Sequence, residues 1–350
     1  MERIAVVLLN TGGPDSKKAI LPYLYNYYKD PQNLPLPFGL HTIGAFTTAL
    51  VQRFTNMRET YRRLAYQSPL LQNTKTQAIS LERVLNSTKT KDVHYRCYVS
   101  MVYWHPFSDE VMDEIKEYGA ERVILLPMFP QKSFKTTYAL VKDWLLTAKE
   151  ENLTAKTQVI DHFYDKKGFI EGLCAQMVTS MYRISDKARR ANLPKPRMVF
   201  IGRYHQPRFK KLGDPYESEI KATAEAMIKA MGGEHDYRVC FQPAPTFSST
   251  IGPTIYDTLK EAGEDKVPVL VIPISYAVED PVTLIQMDQI YAEYAEKIGV
   301  PLFERAPTIS NHVDFLNALS EAIIAEDTLI NIDTYDDDLK QKIIWNNKDD

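Results

Sequence analysis

Short apolar runs, several of them continuous, alternate along the chain with longer amphipathic stretches of helical period. The apolar runs fall at 4–10, 94–101, 122–128, 157–162, 197–202, 237–242, 268–275 and 301–305. Val123-Ile-Leu-Leu and Val269-Leu-Val-Ile contain no polar residue at all. Continuous rather than alternating apolar positions predict strands covered on both faces, as in parallel sheets. Helical patterns fall between them, at 17–29, 70–85, 108–118, 136–149, 168–192, 216–231, 254–262, 282–298 and 311–325. Strand and helix in steady alternation predict right-handed βαβ units and a doubly wound α/β architecture.

The two halves echo each other. Glu121-Arg-Val-Ile-Leu-Leu-Pro-Met and Asp265-Lys-Val-Pro-Val-Leu-Val-Ile-Pro-Ile each set a charged residue, an apolar strand and then a proline in order. Two similar halves or merely two buried parallel strands would both produce this. The expected division is 1–165 and 166–310, a helix at 311–328 packing back on the first half, and a polar tail at 329–350. The stretch 34–51 is apolar but broken by Pro35, Pro37 and His41, and reads as a loop and helix with a greasy face. In open α/β sheets ligands bind beyond the carboxyl ends of the strands. That rule selects 11–15, 102–107, 129–137, 203–207, 243–249 and 276–284.

Composition narrows the function classes. A chain of 350 residues with 44% hydrophobic and 25% charged positions can bury a large core without staples. The net charge of -3 gives no electrostatic footprint for nucleic acid. The three cysteines, Cys97, Cys174 and Cys240, form neither a CxxC pair nor a metal-ligand spacing. A reducing, cytoplasmic setting is expected. No signal peptide, transit peptide or membrane span is visible.

Four segments carry candidate chemistry, each beside a plainer alternative. Asn10-Thr-Gly-Gly-Pro-Asp either lets the backbone approach a ligand or is simply a strand-to-helix turn; it lacks the GxGxxG spacing of a dinucleotide site. Tyr103-Trp-His-Pro-Phe could wall a flat aromatic ligand or form a packed corner. Pro127-Met-Phe-Pro-Gln-Lys-Ser-Phe-Lys-Thr-Thr ends in Ser133, Thr136 and Thr137, hydroxyls that cap a helix or hold an anion. Arg62-Arg63 before Ser68-Pro-Leu-Leu is a solvated face or a carboxylate clamp. No HExxH, GxSxG, Walker or kinase signature occurs.

Taken in order over about residues 4–325, these segments resemble ferrochelatase, in its alphaproteobacterial style. Leu126-Pro-Met-Phe-Pro-Gln-Lys-Ser-Phe-Lys-Thr-Thr is similar to the family's Leu-Pro-Leu-Tyr-Pro-Gln-Tyr-Ser-x-x-Thr-Thr. Gly213-Asp-Pro-Tyr, Arg238-Val-Cys-Phe-Gln, Val271-Ile-Pro-Ile-Ser and Asp288 fall where the family has its own versions. The resemblance implies two Rossmann-like halves of class II chelatase type with an intervening cleft for porphyrin. It implies porphyrin-binding roles for Thr11, Arg63, Tyr103, Ser133, Thr136, Thr137 and Tyr276. It also implies a His and a Glu that take pyrrole protons and handle iron.

The match breaks at that pair. Counting back without gaps from Asp214-Pro-Tyr puts Arg203 at the family His, and arginine has no lone pair to offer. Val282 stands at the family Glu and Asp280 where a second His is usual. The fallback groups are His205, Glu279 and Asp280. The family's arginine-bearing Gln-Ser-Arg-x-Gly-Pro reads Gln242-Pro-Ala-Pro-Thr-Phe, Val102 replaces another arginine, and a triple glycine reads Ala65-Tyr-Gln. Three functions are therefore open: a porphyrin- or haem-binding protein with little or no iron insertion, a working ferrochelatase using the fallback groups, or a non-catalytic partner-binding protein. No cofactor is required; iron is a substrate of the second reading only. A tetrapyrrole is the expected ligand, peripheral membrane contact near 37–51 is a family-level expectation, and oligomeric state is open.

Overall fold

The computed structural model describes all residues except 35, 37–39, 53–55, 88–91, 245–248, 326–328, 334 and 336–350, and only the backbone at 56–58. Most of the polar tail and part of the 242–247 segment thus lie outside the described residues.

Elements follow in the order β1 (Glu2–Asn10), α1 (Ile20–Lys29), α2 (His41–Gln52), α3 (Asn56–Arg63), α4 (Leu70–Ser87), β2 (Val93–Met101), α5 (Ser108–Tyr118), β3 (Arg122–Pro127), α6 (Thr137–Glu150) and β4 (Lys156–Val159). Then come α7 (Lys167–Arg190), β5 (Arg197–Gly202), α8 (Pro207–Lys211), α9 (Tyr216–Met231), β6 (Tyr237–Phe241), α10 (Ile255–Asp265) and β7 (Val269–Ile272). A π-helix (Val282–Tyr291), α11 (Ala292–Lys297), β8 (Phe303–Arg305), α12 (Val313–Ala325) and β9 (Ile330–Asn331) complete the chain.

Two compact units result, one of Met1–His162 with Leu316–Asp350, the other of Phe163–Phe315. In the first, the sheet order is β2-β1-β3-β4-β9. β1 lies parallel between β2 and β3, with Val6 opposite Cys97 and Ile124, while β9 runs antiparallel to β4. In the second, β6-β5-β7-β8 are parallel throughout. Ile4 to Leu9, Val123 to Leu126, Met198 to Ile201 and Val269 to Ile272 are all at most 1% exposed, which is why these strands read as unbroken apolar runs.

Both sheets start in the middle. The chain leaves β1 for β2 on one side and then crosses to β3 on the other, and β5, β6 and β7 repeat that move. Each unit therefore has a switch point where loops diverge at the strand ends, the position that ligands use in such sheets.

Some elements depart from the sequence pattern. The strand expected at 268–275 stops at Ile272, because Pro273 has no N–H for the ladder and a tight turn follows, with the Tyr276 N–H donating to the Pro273 carbonyl. The helix expected at 282–298 begins as ten residues of π-helix, a rare form common at functional sites. On α2, Ile43, Phe46 and Val51 are exposed, as is Leu40 beside it. Among the described residues no helix is long and apolar enough to cross a membrane.

Candidate functional site

In the first unit the loop after β1 is drawn tight against its neighbours. Gly12 has φ +81°, and a Cβ there would lie 3.1 Å from the Trp104 backbone nitrogen. A Cβ on Gly13 would lie 2.5 Å from Ser68 Oγ. Only glycines allow both approaches. Thr11 donates its N–H to Asn10 Oδ1 (2.9 Å) and accepts at its carbonyl from the Tyr103 N–H (3.0 Å). The loop after β1 and the aromatic turn after β2 thus meet, backbone to backbone.

Tyr103 itself faces inward. It is 4% exposed, its ring meets Tyr27 edge-on at 5.2 Å, and it packs with Tyr23, Tyr28 and Tyr61. Its hydroxyl donates to Asp30 Oδ2 (2.6 Å) and accepts from Asn33 Nδ2 (3.0 Å). Burial, and then the Asp30 charge, push the phenol well above its ordinary pKa. Arg63 ends α3, two residues beyond Tyr61, and bonds through Nε to Glu59 Oε1 (3.0 Å) while staying exposed. Glu59 also holds Arg62, and hydrogen bonds from both arginines lower its carboxyl to about 2.

The three hydroxyls after β3 form one cluster at the start of α6. Ser133 Oγ lies 2.9 Å from Thr136 Oγ1 and accepts the Thr136 N–H (3.1 Å); Thr137 Oγ1 accepts the Ser133 N–H (3.2 Å). Ser133 and Thr137 are buried and fix the turn that leads into α6, while the N-cap Thr136 makes no side-chain bond to a helix N–H. Thr136, part-buried, is the most accessible of the three.

In the second unit, Arg203 follows β5 directly and reaches across the switch point to the loop after β7. Its Nε donates to the Ser275 carbonyl (3.1 Å) and Nη2 to Asp280 Oδ2 (3.2 Å). The guanidinium lies over the Tyr276 ring, 3.9 Å from its centroid. The Arg203 N–H donates to the Tyr216 hydroxyl (2.6 Å), which sits 2.8 Å from Ser275 Oγ. Burial opposes the charge, but Tyr276, Asp280 and Tyr216 together raise the Arg203 pKa further. Burial also pushes Tyr216 up to about 12. Every titratable neighbour keeps Arg203 a fixed cation.

Asp280 has a second duty. Its Oδ1 accepts the N–H groups of Val282 (2.8 Å) and Thr283 (3.0 Å), and its own N–H donates to Thr283 Oγ1 (3.0 Å). That is a reciprocal cap on the π-helix. Glu279 Oε1 accepts from Arg305 Nη1 (2.9 Å) and the Thr308 N–H (3.0 Å), and Arg305 also grips Asp288. Val282 is half-buried against the core cluster around Val271 and Tyr291.

His205 is 2% exposed, with its ring between Phe209 and Tyr216 at 5.2 and 4.8 Å. Its Nε2 lies 3.1 Å from Asp214 Oδ2, within ion-pair distance. Tyr276 is 1% exposed and donates its hydroxyl to Gln242 Oε1 (2.5 Å), whose amide bonds Gln286 (3.2 Å). Thus Arg203, Asp280 and Tyr276 come together, Glu279 joins Arg305, and His205 joins Asp214. Sequence reasoning missed Tyr216 and Ser275 as the groups fixing Arg203; both stand in segments quoted for the resemblance. Among the described residues no group of three or more His, Cys, Asp or Glu is placed to hold a metal ion.

Comparison with known proteins accords with this layout. A family model described as ferrochelatase matches residues 3–327. The chain is 33% identical over 323 residues to the ferrochelatase of Wolbachia sp. subsp. Drosophila simulans (strain wRi), covering 91% of this chain and 98% of that one. It is 29% identical over 324 residues to the ferrochelatase of Caulobacter vibrioides (strain NA1000 / CB15N), covering 92% and 90%. The solved structure of SirB from Bacillus subtilis with Fe3+ matches with TM-score 0.52 at 11% identity over 93% of this chain and 95% of that one, a likeness of chelatase fold.

Proposed function

The chain belongs to the ferrochelatase family, and from that premise we propose that it binds a tetrapyrrole but inserts iron little or not at all. The observation that carries the proposal is Arg203. It stands where the resemblance expects a proton-accepting histidine, and it is held as a cation by Ser275, Tyr276 and Asp280. A guanidinium cannot take a pyrrole proton, and its charge repels a ferrous ion. Val282, at the expected Glu, offers no acid–base chemistry.

The fallback groups are occupied elsewhere. Asp280 caps a helix and pairs Arg203, Glu279 secures Arg305 and Thr308, and His205 is enclosed beside Asp214. Using them would cost the caps and ion pairs they now make. What the chain retains are anion- and ring-recognising features. Arg63 and Thr136 are accessible for propionates, Thr11 lies on a close-packed glycine turn, and Ser133 and Thr137 keep the α6 start in place. Tyr103 and Tyr276 lie behind the surface as buried supports, and Arg203 is suited to pair a propionate rather than a metal. Exposed α2 is suited to peripheral membrane contact.

An active ferrochelatase is the second reading, favoured by the matched relatives, which are named ferrochelatases along nearly their whole length. The two separate by experiment. Titration with protoporphyrin should shift its visible bands, and a Tyr103→Ala, Arg63→Ala double variant should lose that shift. Retention of the shift refutes the assigned site. Under the second reading, His205→Ala abolishes haem formation; under the first the parent forms little or no haem and His205→Ala leaves that residual unchanged.

A further inference from the structure

We infer that Gln242 is a positioning residue for Arg203, acting through the Tyr276 ring, and that it sets the preference of this site for a free carboxylate. The inference rests on the proposed pairing of Arg203 with a tetrapyrrole propionate. It adds what holds that cation in register, a chain of amides and phenols that reaches into the π-helix.

Three strand ends of the second unit meet here. Arg203 follows β5, Gln242 follows β6, and Tyr276 lies in the turn beyond β7. The backbone fixes Gln242 beside Arg203, because Phe241 pairs with Gly202 and the Gln242 N–H donates to the Gly202 carbonyl (3.0 Å). Gln242 Oε1 accepts the Tyr276 hydroxyl (2.5 Å), and its Nε2 donates to Gln286 Oε1 (3.2 Å), which also accepts the Tyr291 hydroxyl (3.3 Å). Gln286 and Tyr291 stand five apart in the π-helix. Bonds from i to i+5 close a π-helical turn, so that spacing puts both side chains on one face. On an α-helix, residues three and four apart would be the neighbours instead.

Every group in this chain is neutral. Burial raises the Tyr276 and Tyr291 phenols above their ordinary range, so both remain donors. The chain therefore brings no second charge to Arg203; it orients a ring. Ser275 and Asp280 hold the guanidinium at its edge, and the Tyr276 ring meets its face 3.9 Å from the centroid. The direction of that ring is set at its far end, where the buried hydroxyl finds Gln242. Without that acceptor the hydroxyl is left unmet in the core, and turning the ring toward another acceptor withdraws the platform from Arg203.

The test follows phenylglyoxal modification of the full chain by peptide mass spectrometry, comparing Arg203 with Arg197. Arg197 begins the same strand, is buried, and is held by Asp236 and Asp265, which lie outside the amide chain. Gln242→Leu should speed modification of Arg203 about tenfold while Arg197 keeps its rate, the effect of one unmet buried hydroxyl. Adding Tyr276→Phe removes that hydroxyl and should return the rate to within about threefold of the parent, a rescue that general loosening would not give. Gln286→Leu should act in the same direction by a smaller factor. In parallel, protoporphyrin binding should weaken about tenfold in Gln242→Leu and recover in the double variant. Protoporphyrin dimethyl ester, which has no carboxylate for Arg203, should bind all of them alike. Absence of any band shift in the parent would refute the proposed function. An unchanged Arg203 rate in Gln242→Leu, equal acceleration at Arg197, or no recovery in the double variant would each overturn the positioning role.

Discussion

Removing the Asp280 carboxylate perturbs two interactions that a pair of variants can separate. Asp280→Ala deletes the cap on Val282 and Thr283 and leaves Arg203, only 22% exposed in its side chain, without its counter-charge. Loss of an N-cap costs about 1 kcal/mol. Stranding a mostly buried charged donor costs about 1–3 kcal/mol more. The sum, about 2–4 kcal/mol, lowers the melting temperature by about 5–15 °C for a unit of this size. Asp280→Asn keeps an oxygen for the cap, since Asn caps as well as Asp, and loses only the charge, so it should cost about 1–3 kcal/mol. The assay is thermal and urea unfolding of both variants, alone and combined with Arg203→Leu, read as a double-mutant cycle. Once Arg203→Leu has removed the cation, Asp280→Asn should cost less than about 0.5 kcal/mol. An equal cost in both backgrounds would refute the pairing, and with it the view of Arg203 as a locked cation.

Other expectations are open to the same methods. Burial raises the Asp143 carboxyl from 3.8 to about 6, beside its bond from Ser108. The unfolded carboxyl releases its proton first, so stability should fall as pH rises across that window and level off above it. The loss is about 1–3 kcal/mol, discounted because the residue is part-exposed, and Asp143→Asn should flatten the profile. Gly13→Ala should destabilise the fold by about 1–3 kcal/mol by calorimetry, because its Cβ would meet Ser68 Oγ at 2.5 Å. Ser133→Ala removes the acceptor for the Thr136 N–H in the turn before α6 and should cost about 1 kcal/mol in urea unfolding. A Ser133→Ala variant as stable as the parent would show that the hydroxyl cluster does not hold the turn before α6.

The strands β1, β3, β5 and β7 were legible because burial on both faces leaves an unbroken apolar run that no surface helix shares. Two helices, α5 and α9, begin and end where the pattern places them. Gly119 at φ 70° ends α5 and Gly232 follows α9, both explicit stop signals. Short or polar elements carried less signal: α3 has a strongly polar sequence and α8 spans five residues. The π-helix was invisible, because one extra residue per hydrogen-bonded turn leaves an apolar sequence looking helical either way. Arg203 and Val282 could be picked out by register alone. Their surroundings could not, since the Arg203 contacts to Ser275 and Asp280 lie 72 and 77 residues away and exist only because β5 pairs with β7. The inward turn of Tyr103 likewise depends on Asp30, 73 residues back.

The central claim concerns chemistry at Arg203, and it is tested by mixing the purified protein with protoporphyrin and ferrous iron under strictly anaerobic conditions and following the visible spectrum. The account predicts shifted porphyrin bands that stay metal-free. A haem spectrum growing past one equivalent of protein would contradict it, and would mean that iron insertion proceeds despite Arg203 and Val282.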